Sequence, residues 1–352
     1  MAKKVILAMS GGIDSSVAAC LLKKAGFDVI GIFMKFWSEA DLKGSWNRCC
    51  SPEAEKRARQ VAKILNLPFY VFNFEKEFKK GIVDYFLKEH KTGRTPNPCV
   101  VCNKKIKFGL LLEKAMTLEA DYVATGHYAL KREIKNYKLL KAKDKNKDQS
   151  YFLWMLNQNQ LKHILFPIGE YTKDKVRKLA KKFKLPVLNI PESMEICFVK
   201  STINDFLERH LKSKPGKITN PKGAIIGKHQ GLHFYTIGQR RGIKLTGGPY
   251  YVLDKNQKKN LLIVTKNQKD LYKKELVAKN VNWISGKVPK LPLKIRAKIR
   301  YRHKASKATV YYLKSNIYHL IFDKPQRAIT PGQSTVFFRG QEVLGGGIIT
   351  ET

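Results

Sequence analysis

Residues 5–24 read VILAMSGGIDSSVAACLLKK, and they limit the fold more sharply than any other stretch. Val5 to Met9 are all apolar, which has the length and texture of a short strand buried on both faces. Glycines follow at once, then apolar residues return at helical spacing from Asp14 to Lys24, and Gly26 stands where a helix would stop. A buried strand that passes through a glycine turn straight into a helix is the first half of a β-α-β unit. The strand signal repeats at 28–34, 68–74 and 121–126, and helical stretches lie at 51–66, 75–90 and 104–119. This rhythm predicts an α/β, Rossmann-like parallel sheet covered by helices on both faces.

The texture changes near residue 200. Gly and Pro crowd the next segment, helical periods fade, and from about residue 280 the chain reads as short alternating strands at 294–302, 307–313, 317–323, 334–338 and 342–349. At 352 residues the chain suits two or three domains. The expected division is a catalytic domain at 1–200, a small mixed central domain at 201–275 and a C-terminal β-barrel at 276–352, the last two binding nucleic acid. With 43% hydrophobic residues the chain can bury a real core, and it has no apolar run of the roughly 20 residues that would span a bilayer. A cytoplasmic, monomeric protein without membrane contact is expected.

Charge narrows the partners. The chain carries 68 Lys and Arg against 28 Asp and Glu, a net +40. That excess repels itself unless it meets a polyanion, and nucleic acid is the usual one. In residues 293–302, Leu293, Ile295, Ala297, Ile299 and Tyr301 alternate with Lys294, Arg296, Lys298, Arg300 and Arg302. As one strand this sets five cations on one face, suited to phosphates, over a packing face.

Chemistry points to the first domain. All the cysteines, Cys20, Cys49, Cys50, Cys99, Cys102 and Cys197, precede residue 200. Reduced cytosolic thiols gathered in this way suggest catalysis or metal binding over a disulfide framework, although Cys20 sits in the apolar period of the first helix and reads as core. The loop SGGIDSS, Ser10 to Ser16, offers backbone N–H groups and a helix N-terminus to phosphate. It lacks the lysine of a Walker loop and the third glycine of a dinucleotide fingerprint.

At this loop the sequence resembles the PP-loop ATP pyrophosphatases, with their adenine nucleotide alpha hydrolase-like fold. Through SGGIDSS, GIFMKFW, NRCCS, TPNPCVVCNKKIKF, ATGHYA, KDQSYFL, ICFV, GKHQGLHFYTIGQRRG, RYR and TPGQS the resemblance narrows to the bacterial tRNA-specific 2-thiouridylases, or tRNA-uridine 2-sulfurtransferases, along nearly the whole chain. The resemblance implies ATP-dependent adenylation of the 2-oxygen of the first anticodon uridine, then sulfur delivery from a persulfide to the same carbon. ATP and Mg²⁺ are the implied cofactors, and tRNAs for lysine, glutamate and glutamine and a persulfide donor or relay protein the implied partners.

Carried over residue by residue, Ser10, Gly11, Gly12, Ile13, Asp14, Ser15 and Ser16 would hold the pyrophosphate, with Asp14 on Mg²⁺. Ala8, Met9, Met34 and Gly126 would line the nucleotide. Cys102 would be the nucleophile and Cys197 the persulfide carrier, with a transient Cys102–Cys197 disulfide. Nearby Lys104, Lys105 and Lys107 would favour the Cys102 thiolate. Asn97, Pro98 and Cys99 would meet the target base, and His127, Lys147, Asp148, Gln149, Arg300, Tyr301 and Gln333 the tRNA. Three alternatives stay open: a [4Fe–4S] cluster on Cys99, Cys102 and Cys197, a PP-loop synthetase for a small metabolite, and a noncatalytic RNA-binding protein.

Overall fold

A computed structural model describes residues 2–39, 51–188 and 196–351. Cys49 and Cys50 lie outside the described residues. The opening run forms strand β1 (Lys4–Ala8), and its side chains alternate between two cores. Val5, Leu7 and Met9 pack with Val17 of helix α1 (Ile13–Lys24) and Ala58 and Val61 of helix α2 (Pro52–Ile64). Ile6 and Ala8 pack on the opposite face with Phe74, Phe78, Phe86 and Ile106. Both faces of β1 are covered, which explains an apolar run without alternation.

β1 pairs in parallel with β2 (Asp28–Lys35) on one side and with β4 (Tyr122–Thr125) on the other. With β3 (Phe69–Asn73) and the short β7 (Ile164–Leu165) the sheet order is β3-β2-β1-β4-β7. The expected parallel sheet with helices on both faces is therefore present. One boundary differs in a way that matters. The helix expected at 104–119 runs continuously over 98–117, because Pro98 takes its first position and the Asn97 side chain accepts from Val100 N at 3.4 Å. Cys102 is thus helical, and the π-helical segment Asn103–Leu110 follows it directly, a widened winding that often accompanies functional positions.

After residue 200 a helix survives where periodicity faded. Ile203–His210 is opened by a capping box between Thr202 and Asp205. The central unit is a four-stranded sheet of Gly216–Thr219, Ile225–His229, Tyr251–Asn256 and Leu261–Thr265 over Ile218, Tyr235, Val252, Leu262 and Val264. The last unit is a barrel of Tyr272–Trp283, Leu293–Lys298, Ser306–Lys314, Ile317–Arg327, Ser334–Arg339 and Glu342–Glu351, closed by pairing of its first and last strands. Its alternating strands match the sequence pattern except at 293–302. The strand there stops at Lys298, so Arg300 and Arg302 leave the expected five-cation face. Burial of Ile299 and packing of the Tyr301 ring on Phe152, at 4.4 Å between centroids, turn the chain inward.

A hairpin of β5 (Ala129–Glu133) and β6 (Tyr137–Lys141) also escapes the sequence pattern. It leaves the first domain and joins the barrel sheet, with Leu139 and Leu140 opposite Val343 and Glu342. Beneath it Trp154, fully buried, packs among Ala129, Leu139, Ile284, Val336 and Phe338, a core that the first and last units share. Asn282 donates to the carbonyls of Trp154 and Leu156 at 2.8 and 2.9 Å, which fixes the same junction. Among the described residues no helix is long and apolar enough to cross a membrane. Trp154→Ala is expected to destabilise the protein by about 3–5 kcal/mol, read as a lower denaturant midpoint. A change under about 1 kcal/mol would mean that the shared core contributes little.

Candidate functional site

The sheet order reverses between β1 and β4. At such a point the connections leave the strand ends in opposite directions and open a crevice, the usual ligand position of an open α/β sheet. Residues 9–12 leave β1 there and residues 126–128 leave β4. Gly12 caps α1 without a side-chain hydrogen bond, so the N–H groups of the first turn face the crevice without a side-chain partner. Ser15 and Ser16 turn their hydroxyls back to Gly12 O at 3.1 and 2.9 Å, and Ser10 N donates to Ser15 Oγ at 3.2 Å. The loop is therefore fixed from within. Gly11 has φ +72°, and a Cβ there would lie 2.1 Å from Ala54 O. A Cβ on Gly126 would lie 2.7 Å from Ser15 N, so the β4 turn touches the phosphate loop directly.

Asp14 is held from two sides. The Tyr128 hydroxyl donates to Oδ1 at 2.8 Å, and Lys173 Nζ reaches Oδ1 and Oδ2, each at 2.8 Å. Lys173 is buried at the start of the helix Lys173–Lys182, and its N–H donates to Asp144 Oδ2 at 2.9 Å. Arg57 of α2 donates through Nε to Gly11 O at 3.3 Å. Sequence reasoning missed both cations. Lys173 and Arg57 stand in no recognisable motif, and a lysine at the start of a helix is an ordinary surface pattern; only folding brings them to Ser10–Ser16.

Lys147, Asp148 and Gln149 brace this site from behind. Asp148 Oδ1 accepts from Ala142 N and Ser150 N at 3.1 and 3.2 Å. Lys147 N donates to Asp144 Oδ1 at 3.2 Å. Gln149 Oε1 accepts from Tyr128 N at 2.9 Å, and Gln149 N donates to Tyr128 O at 2.8 Å. The loop expected at tRNA thus aims Tyr128 at Asp14. His127 is buried between Phe108 and Phe166, 2.7 Å from Thr125 Oγ1, and burial, with Lys107 nearby, holds its imidazole well below the ordinary value.

The thiols gather on one face of the sheet. Cys102 is buried in the cluster that contains Ala8, Val101, Ile106, Phe198 and Val199, and half-buried Cys197 and Met34 pack against it. Phe198 pins the Cys197 segment among Phe78, Phe86 and Phe206. Glu39, beyond the end of β2, holds the helix that follows this segment, through Arg209 at 2.9 and 2.7 Å and His210 at 2.9 Å. Of the lysines expected to favour the Cys102 thiolate, Lys104 and Lys105 are exposed. Met9 faces the other core, below Gly31. Cys20 is buried, as expected, and burial pushes its thiol up to about 11.

Asn97, Pro98 and half-buried Cys99 form the turn into the Cys102 helix. Among the described residues no three His, Cys, Asp or Glu side chains converge to hold a metal ion. Cys99, Cys102 and Cys197 as placed therefore do not form the ligand triad that an iron–sulfur cluster needs. From the barrel, Arg300 donates to Arg327 O at 3.4 Å, Tyr301 packs on Phe152, and Gln333 reaches the backbone of Thr95 and Pro96.

Three family models match successive parts of the chain. Residues 3–201 match the tRNA methyl transferase HUP domain, 204–266 the tRNA methyl transferase PRC-barrel domain, and 273–349 the aminomethyltransferase beta-barrel domain. The chain is 47% identical to the tRNA-specific 2-thiouridylase MnmA of Clostridioides difficile strain 630, covering 100% of this chain and 99% of that protein. It is 47% identical to the protein of the same name from Halothermothrix orenii, over 99% of each. Identity is 48% to tRNA-specific 2-thiouridylase MnmA 2 of a Thermoanaerobacter species, over 98% of this chain and 97% of that one.

Two substitutions test the crevice as a triphosphate site. Gly126→Ala drives a methyl group against Ser15 and is expected to weaken ATP binding at least tenfold in calorimetric titration. Lys173→Met, which keeps the length of the side chain but removes its charge, is expected to weaken ATP binding by roughly tenfold, the scale of one charge-assisted contact. Unchanged affinity in both variants would place the nucleotide elsewhere.

Proposed function

We infer, for a chain that belongs over its whole length to the family of tRNA-specific 2-thiouridylases, that it uses ATP to convert uridine at the first anticodon position of tRNA to 2-thiouridine. One observation carries the assignment to particular residues. Ala8, which ends the strand leading into the phosphate loop, belongs to the same apolar cluster as Cys102, with Cys197 packed against it. This supports a site in which phosphate and sulfur chemistry share one side of the sheet.

The need for both follows from the bond to be broken. A uracil 2-oxygen is a poor leaving group, and transfer of AMP to it makes it a good one. Residues Ser10–Ser16 receive the phosphates of ATP at the N-terminus of α1, and Lys173 and Arg57 add positive charge where charge develops as pyrophosphate leaves. Asp14 offers a carboxylate to Mg²⁺, an ion that accepts one carboxylate together with phosphate oxygens and water and that would neutralise the triphosphate. Tyr128 and Lys173 fix the orientation of that carboxylate.

Sulfur arrives as a persulfide on Cys197, supplied by a donor protein. Its terminal sulfur attacks C2 of the adenylated base while the Cys102 thiolate attacks Cys197 Sγ. The sulfur–sulfur bond of the persulfide breaks, a Cys102–Cys197 disulfide forms, AMP leaves with the 2-oxygen, and a dithiol reductant restores the two thiols. In the variant route Cys102 first frees sulfide, which then attacks C2. Burial of Cys102 keeps water from competing at the activated carbon. Asn97, Pro98 and Cys99 open the helix that carries Cys102 and would receive the flipped base, and the tRNAs for lysine, glutamate and glutamine are the expected substrates. The cationic barrel and central unit hold the rest of the tRNA.

The test is thiolation of unmodified tRNA with ATP, Mg²⁺ and a persulfide source. Wild-type protein is expected to release AMP and form 2-thiouridine. Cys102→Ser and Cys197→Ser are each expected to cut 2-thiouridine formation by about 10³-fold or more while ATP-dependent adenylation of the tRNA continues, detected with α-labelled ATP. Retention of full thiolation by both variants would remove the sulfur role from these cysteines, and AMP formation without any tRNA requirement would favour a small-metabolite synthetase.

A further inference from the structure

The turn that carries Asn97 into the Cys102 helix has little means of holding itself. Pro96 and Pro98 contribute no N–H, so residues 95–98 keep two backbone donors, Thr95 and Asn97, while every carbonyl still needs a partner. The partners come from the barrel. Thr95 N donates to Pro331 O at 2.9 Å. The Gln333 side-chain amide donates to Thr95 O at 2.9 Å and to Pro96 O at 3.3 Å. Gly332, with φ +92°, lies so close that a Cβ would stand 2.9 Å from both Thr95 N and Thr95 O. Thr236 of the central unit completes the hold through its hydroxyl, 3.2 Å from Thr95 Oγ1.

The barrel side of this contact is rigid. Gly332 N donates to Ile349 O, Ile349 N donates to Gln333 O, both at 2.8 Å, and the Tyr151 hydroxyl donates to Ser334 O at 2.8 Å. Residues 331–334 are thereby fixed to the last strand and to the first domain at once. On the other side, Asn97 caps the helix on which Cys102 sits one turn later. A shift of the Thr95–Pro96 carbonyls moves that cap, and with it the thiol.

We propose that Gln333 is a positioning residue for sulfur transfer: its amide clamps the Thr95–Pro96 backbone to the C-terminal barrel and so sets Asn97 and Cys102 against the activated base. The proposal rests on the thiolation reading for its kinetic consequence and on hydrogen bonding alone for its structural one. It differs from a role in which Gln333 serves as a contact to tRNA, because the amide donors are directed to this chain's own carbonyls.

The experiment uses full-length protein with Gln333→Met, which keeps side-chain length but donates nothing, and Gln333→Glu, which also sets a carboxylate against two carbonyl oxygens. Amide hydrogen exchange of peptides spanning residues 94–103 is expected to quicken at least tenfold in both, with peptides of the phosphate loop unchanged. The kcat for 2-thiouridine formation is expected to fall about tenfold or more, with KM for tRNA and for ATP within about twofold of wild type. Unchanged exchange at 94–103, or a raised KM for tRNA with kcat preserved, would overturn the proposal. Should Gln333→Glu fail to fold, the Met variant carries both readouts. An inactive wild-type protein would refute the thiolation reading, and hydrogen exchange would still decide whether the clamp exists.

Discussion

β1 leaves its sheet at the place where strand order reverses, with one core on each face, and most of the site follows from that position. Helix Lys173–Lys182 packs through Val176 and Ala180 into the core beneath α1 and α2, so Lys173 approaches the crevice from that side. The helix at 98–117 and the Cys197 segment pack into the opposite core, so the thiols approach from the other. Lys173 and the cysteines are thus carried by elements that pack against opposite faces of one sheet. This separation is chemically useful, because an ammonium needs hydrogen-bonded carboxylates around it, whereas a thiol that must exclude water is served by an apolar lining.

The same constraint explains why the chain requires three units. The open sheet end does not by itself fix the turn at 94–98, and two prolines leave that turn few donors of its own. Contacts from outside do so. The barrel supplies Pro331, Gly332 and Gln333, the central unit supplies Thr236, and His90 of the preceding helix meets His233 O at 3.2 Å. Hydrogen bonds of this kind are directional and individually modest, and polar interfaces between units yield more readily than apolar cores. The junction around Trp154 and the β5–β6 hairpin is core-like. The barrel is therefore anchored through an apolar core at one place and joined by polar contacts at the thiol turn.

Local pattern made the first domain legible. A strand buried on both faces, glycines at a tight turn and helical spacing are short-range signals, and the parallel sheet, the Ser10–Ser16 loop and the alternating barrel strands all carry them. What stayed hidden depends on long-range placement. Lys173 and Arg57 belong to helices whose sequences read as ordinary surface, and β6 pairs with a strand some two hundred residues later, as at Leu140 and Glu342. The start of the Cys102 helix was obscured differently. Prolines at 96 and 98 argue for extended chain, and it takes the Asn97 side chain to convert Pro98 from a breaker into a first helical residue. The ten-residue alternation at 293–302 failed for a related reason: period 2 reports which residues seek burial, and Tyr301 finds its burial on Phe152 by leaving the strand.

The basic excess gains meaning from where cations crowd together. Arg300 is depressed first by burial and then by the charge of Arg327 beside it, and Tyr151, which bonds Ser334 O and contacts Asn97, is within reach of the Arg300 charge. A guanidinium gains nothing for folding from a partly buried place next to another guanidinium; each loses hydration and repels its neighbour. An incoming polyanion reverses both effects, since a phosphate accepts from the guanidinium fork and cancels the repulsion. A phosphate is therefore favoured at this corner, which adjoins the turn that carries Asn97. A backbone phosphate seated here would lie beside the thiol turn without reading any base. Affinity and choice of base would then rest on different residues.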